Sequence, residues 1–88
     1  MEAKDVSLAE KVRRRLDTGT LPPEHPAKMR VFFGAGETCC TCDEKIHSAR
    51  VGYEFDWNEH TYRFHIGCYG LWTAELIRRG RYKPDRPQ

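Results

Sequence analysis

The chain has 88 residues, 39% of them hydrophobic and 32% charged, and carries a formal net charge of +2. That is the composition of one small globular domain with a polar surface, not of a disordered chain, and so small a charge gives no proof of a nucleic-acid partner. No apolar run is long enough to span a membrane, and a chain this short buries a modest core that a metal, a disulfide or a second subunit often supplements.

The N-terminus, MEAKDVSLAEKVRRR, mixes charges and has no apolar stretch of the secretory kind. A cytoplasmic location is therefore expected, where thiols stay reduced and four cysteines read as metal ligands before disulfides. Ser7-Leu8-Ala9-Glu10 is a capping box. It predicts a helix from about Leu8 to Asp17, with Leu8, Val12 and Leu16 on one stripe and Gly19 as its stop. Leu21 to Pro26 contains three prolines and is expected as an extended linker, with His25 an ordinary surface residue.

Met29, Val31 and Phe33 alternate with Arg30 and Phe32, which predicts a short strand that Gly34-Ala35-Gly36 breaks. From about Arg50 the period is again two. Val51, Tyr53 and Phe55 share one face, and Gly52, Glu54 and Asp56 the other. Trp57-Asn58-Glu59-His60 makes the turn, although it lacks the Asn-Gly signal of the tightest hairpins. Tyr62 and Phe64 then alternate with Thr61, Arg63 and His65. After Gly67 the pattern turns helical: Cys68, Trp72 and Leu76 lie four apart, flanked by Tyr69, Leu71 and Ile77, and Gly80 ends the run.

Cys39-x-x-Cys42 and His65-x-x-Cys68 are the chemistry-bearing pairs. Zinc prefers four tetrahedral ligands, thiolates and imidazole among them, and two intervening residues let a tight turn aim both side chains of a pair at one ion. Cys68 falls in the first turn of the second helix, where the helix dipole favours a thiolate. Four protein ligands leave no open position for water, so the expected ion is structural, one Zn(2+) per chain held by Cys39, Cys42, His65 and Cys68; iron is the other metal that a thiolate-rich site accepts. A redox reading of Cys39-x-x-Cys42 needs a βαβ context that is absent from the pattern. A nucleophilic cysteine beside His65 lacks an orienting third group. Cys40 could replace Cys39 only with a single residue between it and Cys42, so it is expected to be a free side residue of the knuckle; His60 is a substitute ligand by type but is expected, like His25 and His47, to be a surface residue.

The expected fold is a small α+β zinc-bound domain: zinc knuckle, β-hairpin and C-terminal helix in a treble-clef-like order, with an N-terminal helix added. Its organisation reads as an amphipathic helix in 1–20, a proline-rich linker in 21–28, a zinc-binding domain in 29–80 and a basic tail in 81–88.

These pairs resemble a LIM half-module, which couples C-x-x-C to H-x-x-C across a spacer like the one from Asp43 to Phe64; the cysteines of a second LIM module do not follow. Gly36-Glu37-Thr38-Cys39, Ile46 and Phe64-His65-Ile66-Gly67-Cys68-Tyr69 are also similar to the zinc finger of poly(ADP-ribose) polymerases, with a shorter spacer where that family carries a DNA-contacting loop. Small uncharacterised bacterial proteins with Gly-x-Gly-x-x-Cys-x-x-Cys and Phe-His-x-x-Cys signatures are a third resemblance, covering most of the length and implying no activity. All three imply zinc at the same four residues.

Positive charge gathers at both ends: Lys11, Arg13, Arg14 and Arg15 in the first helix, Lys28 and Arg30 after the linker, and Arg78, Arg79, Arg81, Lys83 and Arg86 at the C-terminus. Asp43, Glu44, Glu54, Asp56 and Glu59 lie in between. If the two ends meet in space, Arg13, Arg14, Arg15, Arg78, Arg79, Arg81 and Lys83 would track a nucleic-acid backbone, DNA or RNA, with Tyr82, Tyr62 or Trp57 stacking on bases. The plain alternative is a solvated helix face and a solubilising tail. A second reading is a LIM-like adaptor whose aromatic hairpin face takes a protein partner or a second copy of the chain. No paired carboxylates, phosphate loop or triad point to an enzyme, and neither a membrane nor a small-molecule substrate is expected.

Overall fold

The computed structural model describes residues 7–83; Arg86 and the tail beyond Lys83 lie outside the described residues, as do residues 1–6. The elements run α1 (Leu8–Asp17), β1 (Arg30–Phe33), β2 (Glu37–Thr38), β3 (Lys45–Ile46), β4 (Val51–Trp57), β5 (His60–His65) and α2 (Ile66–Arg78). The architecture is α+β, with two helices, a three-stranded antiparallel sheet in the order β1-β4-β5, and a two-stranded ribbon of β2 and β3. No helix among the described residues is long and apolar enough to cross a membrane.

α1 starts where the capping box places it. The Ser7 hydroxyl accepts from the Glu10 amide at 3.1 Å, satisfying one of the orphan donors of the first turn. Both helices end in the same way. Gly19 (φ +80°) follows α1 and Gly80 (φ +74°) follows α2. The amide of each glycine and the amide after it turn back onto carbonyls of the last turn, Leu16 and Arg15 in α1, Ile77 and Leu76 in α2. This is the glycine-terminated Schellman closure.

The hairpin turn uses Asn58 (φ +51°) and Glu59 (φ +69°), both left-handed. Two such residues give the twist that a two-residue connection between antiparallel strands requires, and Asn58 tolerates it without a following glycine. The sheet face toward α2 holds Phe55 and Phe64, which with Trp72 are completely buried. Their rings stack at centroid separations of 5.8 Å (Phe55–Phe64), 5.4 Å (Phe55–Trp72) and 5.0 Å (Phe64–Trp72). Each such side chain contributes about 1.5–3 kcal/mol by leaving water. The opposite face is polar at its centre. Glu54 accepts from Arg30 at 3.0 Å and from Arg63 at 2.9 Å, and the Arg63 guanidinium lies 6.0 Å above the Phe32 ring.

α1 docks on this core through Val12 and Leu16, which are buried; Leu8, the third residue of the expected stripe, stays partly exposed. The proline-rich stretch is a packed layer of the core. Leu21 and Pro22 are buried, and the Trp72 indole N–H donates to the Pro22 carbonyl at 3.0 Å. His25 corrects the surface expectation. Its ring stacks on Tyr82 at 4.1 Å and lies 5.7 Å from Trp72. With Nδ1–H donating to the Pro26 carbonyl at 2.9 Å, Nε2 accepts from the Tyr69 hydroxyl at 2.7 Å. Burial pushes its pKa down, so the ring is neutral.

Candidate metal centre

The first ligand pair sits in the loop between β2 and β3. The Cys39 amide donates to the Glu44 carbonyl at 2.9 Å, and the Asp43 amide donates to the Cys39 carbonyl at 3.1 Å. Asp43 turns the chain through a left-handed conformation (φ +67°). These bonds fold Cys39 to Cys42 into a knuckle with both thiols on one side. Fully buried Ile46 anchors the ribbon from below. Gly34 lets the ribbon close: a Cβ there would lie 2.3 Å from the His47 oxygen and 2.4 Å from the Ile46 oxygen.

The second pair comes from the junction of β5 and α2. His65 is the last residue of β5 and the N-cap of α2, with extended dihedrals and no side-chain cap bond. Its ring faces the knuckle instead. Nδ1 lies 3.4 Å from Cys42 Sγ, and Nε2 donates to the Lys45 carbonyl at 3.2 Å. An imidazole whose far nitrogen is fixed by a carbonyl presents the near nitrogen as a ligand in one orientation. Cys68 follows three residues later, buried in the first turn of α2.

The ligand atoms of Cys39, Cys42, His65 and Cys68 all lie within 4.8 Å of one another. A tetrahedral site with metal–sulfur bonds near 2.3 Å and metal–nitrogen bonds near 2.0 Å has edges of about 3.5–3.8 Å. The four residues named from spacing are thus brought together, and the cluster could hold one metal ion. The electrostatics agree with that capacity. The Cys39 thiol is held well below its ordinary range, first by the Cys68 side chain and then by the amides of Cys42, His65 and Thr41. Cys68 is pushed up by its bond to Cys39 and by burial, and Cys42 by burial and the Cys39 charge. Neighbouring thiolates repel one another, and a bound cation relieves that repulsion.

Cys40 stands apart: burial, with the Cys39 charge, pushes its thiol up to about 12. Its backbone carries the structural work. The amide donates to Arg63 O on the outer edge of β5 at 2.9 Å, and the carbonyl accepts from Arg15 Nη1 at 2.8 Å. Arg15 also grips Asp43 at 2.7 Å, clamping α1 to the knuckle. Arg15 is expected from charge clustering among the nucleic-acid contacts; the Arg14-Arg15 run gives no sign that one of the two belongs to the metal loop.

The other basic residues divide the same way. Arg78 and Arg79 both bind Glu75, and Arg79 also reaches Asp17 at 3.0 Å and the Arg13 carbonyl at 3.4 Å. Arg13, Arg14, Arg81 and Lys83 have no carboxylate within ion-pair distance among the described residues. Tyr82 gives a ring face to His25, and Tyr62 stacks on Phe55 at 5.8 Å. An open groove of about 540 Å³ runs beside the metal ligands, between Leu8, Val51, Ile66 and Leu71.

In comparisons with protein-family models, curated proteins and solved structures, nothing matches the chain. Fold and site together define a small α+β domain with a Cys3His cluster able to hold one metal ion.

Proposed function

We propose that the chain is a single-zinc, treble-clef-like module that binds nucleic acid through the surface where α1 meets the end of α2. Three thiols and one imidazole within 4.8 Å of one another suit zinc in a closed, structural site. Knuckle, hairpin and ligand-bearing helix follow one another in the treble-clef order, in keeping with the resemblance to LIM and polymerase-type fingers.

The observation that carries the nucleic-acid reading is Arg79. By bonding Asp17 and the Arg13 carbonyl, it draws two basic segments far apart in sequence onto one surface. In this reading Arg13 and Arg14 of α1, with Arg81 and Lys83 after α2, are the residues offered to phosphate. Arg79, with Arg78 beside it on Glu75, serves mainly to build that surface, while Arg15 holds α1 on the knuckle.

The adaptor reading has less surface to work with, Val51, Tyr53 and Tyr62 being half-buried. Phe55 and Phe64, the centre of the aromatic hairpin face, have no exposed area because α2 covers them. The test is a fluorescence-anisotropy titration of labelled single- and double-stranded DNA and RNA at rising salt. Affinity should fall with salt, and Arg14→Gln with Arg81→Gln should flatten the slope by about one for each phosphate no longer neutralised. Undetectable or salt-independent binding removes this function.

A further inference from the structure

Among the described residues β1 is an edge strand with β4 as its sole neighbour in the sheet. The opposite edge, β5, is capped where the Cys40 amide donates to Arg63 O. The β1 edge carries the two most exposed large hydrophobic residues in the described chain, Val31 at 61% and Phe33 at 76%. Isolated exposed apolar residues need no explanation, but two on a bare strand edge are a pairing hazard unless the edge is used.

The hydrogen-bond phase of β1 shows what the edge offers. The Gly34 amide donates to Arg50 O at 2.8 Å, and the register pairs Phe32 with Gly52 and Arg30 with Glu54. In an antiparallel ladder the bonded pairs alternate. Arg30 and Phe32 therefore spend their backbone groups on β4, and Gly34 its amide on Arg50 just before that strand. The N–H and C=O groups of Val31 and Phe33 point outward. The residues with free backbone groups and the residues with exposed apolar side chains are the same two.

We infer that β1 pairs with β1 of a second copy of this chain, forming a six-stranded sheet across a two-fold axis at Phe32. The strand is self-complementary for this. An antiparallel pair centred on Phe32 places Val31 opposite Phe33 of the second copy, and Phe33 opposite its Val31. All four outward N–H and four outward C=O groups become partnered in the ladder or at its ends, with Val31 and Phe33 side chains packed on one face. Arg30 falls opposite Gly34 of the second copy, where no side chain obstructs it. Arg30 also brings no bare charge to the axis, because Glu54 at 3.0 Å and Asp56 at 3.6 Å already balance it. An interface of this kind uses the same patch on both copies and closes at two.

This pairing is independent of the nucleic-acid reading. The experiment is sedimentation over a wide range of protein concentration, joined to amide hydrogen exchange. The dimer fraction should grow with concentration. Exchange at the Val31 and Phe33 amides should slow with it, while the Phe32 amide, bonded within the monomer, stays unchanged. Val31→Pro removes an outward N–H that β4 does not use, a change that edge strands tolerate; Phe33→Glu places a charge in the contact. Both variants should be monomeric with unchanged circular dichroism and metal content. A wild-type monomer at every concentration, or a dimer that survives both substitutions, overturns the inference.

Discussion

Trp72 crosses the core to donate its indole N–H to the carbonyl of Pro22 at 3.0 Å. Trp72 is fully buried, and this bond joins the ligand-bearing helix to the proline segment that follows α1. Replacing the indole by Trp72→Phe strands a buried carbonyl, at a cost of about 1–3 kcal/mol, with a further loss from the smaller ring. Denaturant unfolding of the metal-loaded protein should show that decrease. An unchanged midpoint would mean that the proline segment is loosely attached.

Gly34 should not accept a side chain. The Cβ of Gly34→Ala would press on the backbone oxygens of Ile46 and His47, and backbone cannot move aside as a flexible side chain can. The expected loss is about 1–3 kcal/mol. Because Ile46 anchors the ribbon that carries the knuckle, metal affinity should fall as well, measured by competition with a chromophoric chelator.

Glu75 is buried, and Arg78 and Arg79 hold its carboxyl down to about 2. A carboxylate held low stabilises the fold at pH values above its ordinary range and gives that stability up as pH falls toward about 2. Glu75→Gln should therefore lower stability by an amount that is constant between about pH 6 and about pH 8. A gap that closes within this window would contradict the ion-pair account. The same variant frees Arg79, so α1 should exchange its amides faster.

Among the cysteines, Cys42→Ala and Cys68→Ala should each abolish stoichiometric metal binding and most of the circular dichroism, because ligation and folding are coupled. Cys40→Ser should keep both, since Cys40 contributes through its backbone. Equal tolerance of the three changes would refute the ligand assignment.

Much of this is legible in the sequence alone. α1 spans Leu8–Asp17, as its cap and stripe predict, and the ligands come together as their spacing predicts. Three things are hidden for physical reasons. β2 and β3 are two residues long, too short to show a period. The proline stretch looks like a tether because nothing local marks the Pro22 carbonyl as the acceptor for Trp72, fifty residues on. Charge counting cannot separate Arg15, committed to Cys40 and Asp43, from Arg14 beside it. Long-range partners decide such cases, and composition carries no record of them.

The most direct test of a metal-held fold is metal content by elemental analysis on protein purified without added metal, followed by chelator titration under circular dichroism. One zinc per chain is predicted, with structure lost as the chelator removes it. Protein that carries no metal and keeps its structure in chelator would contradict this, and the thiols of Cys39, Cys42 and Cys68 would then have to be explained by packing or redox chemistry alone.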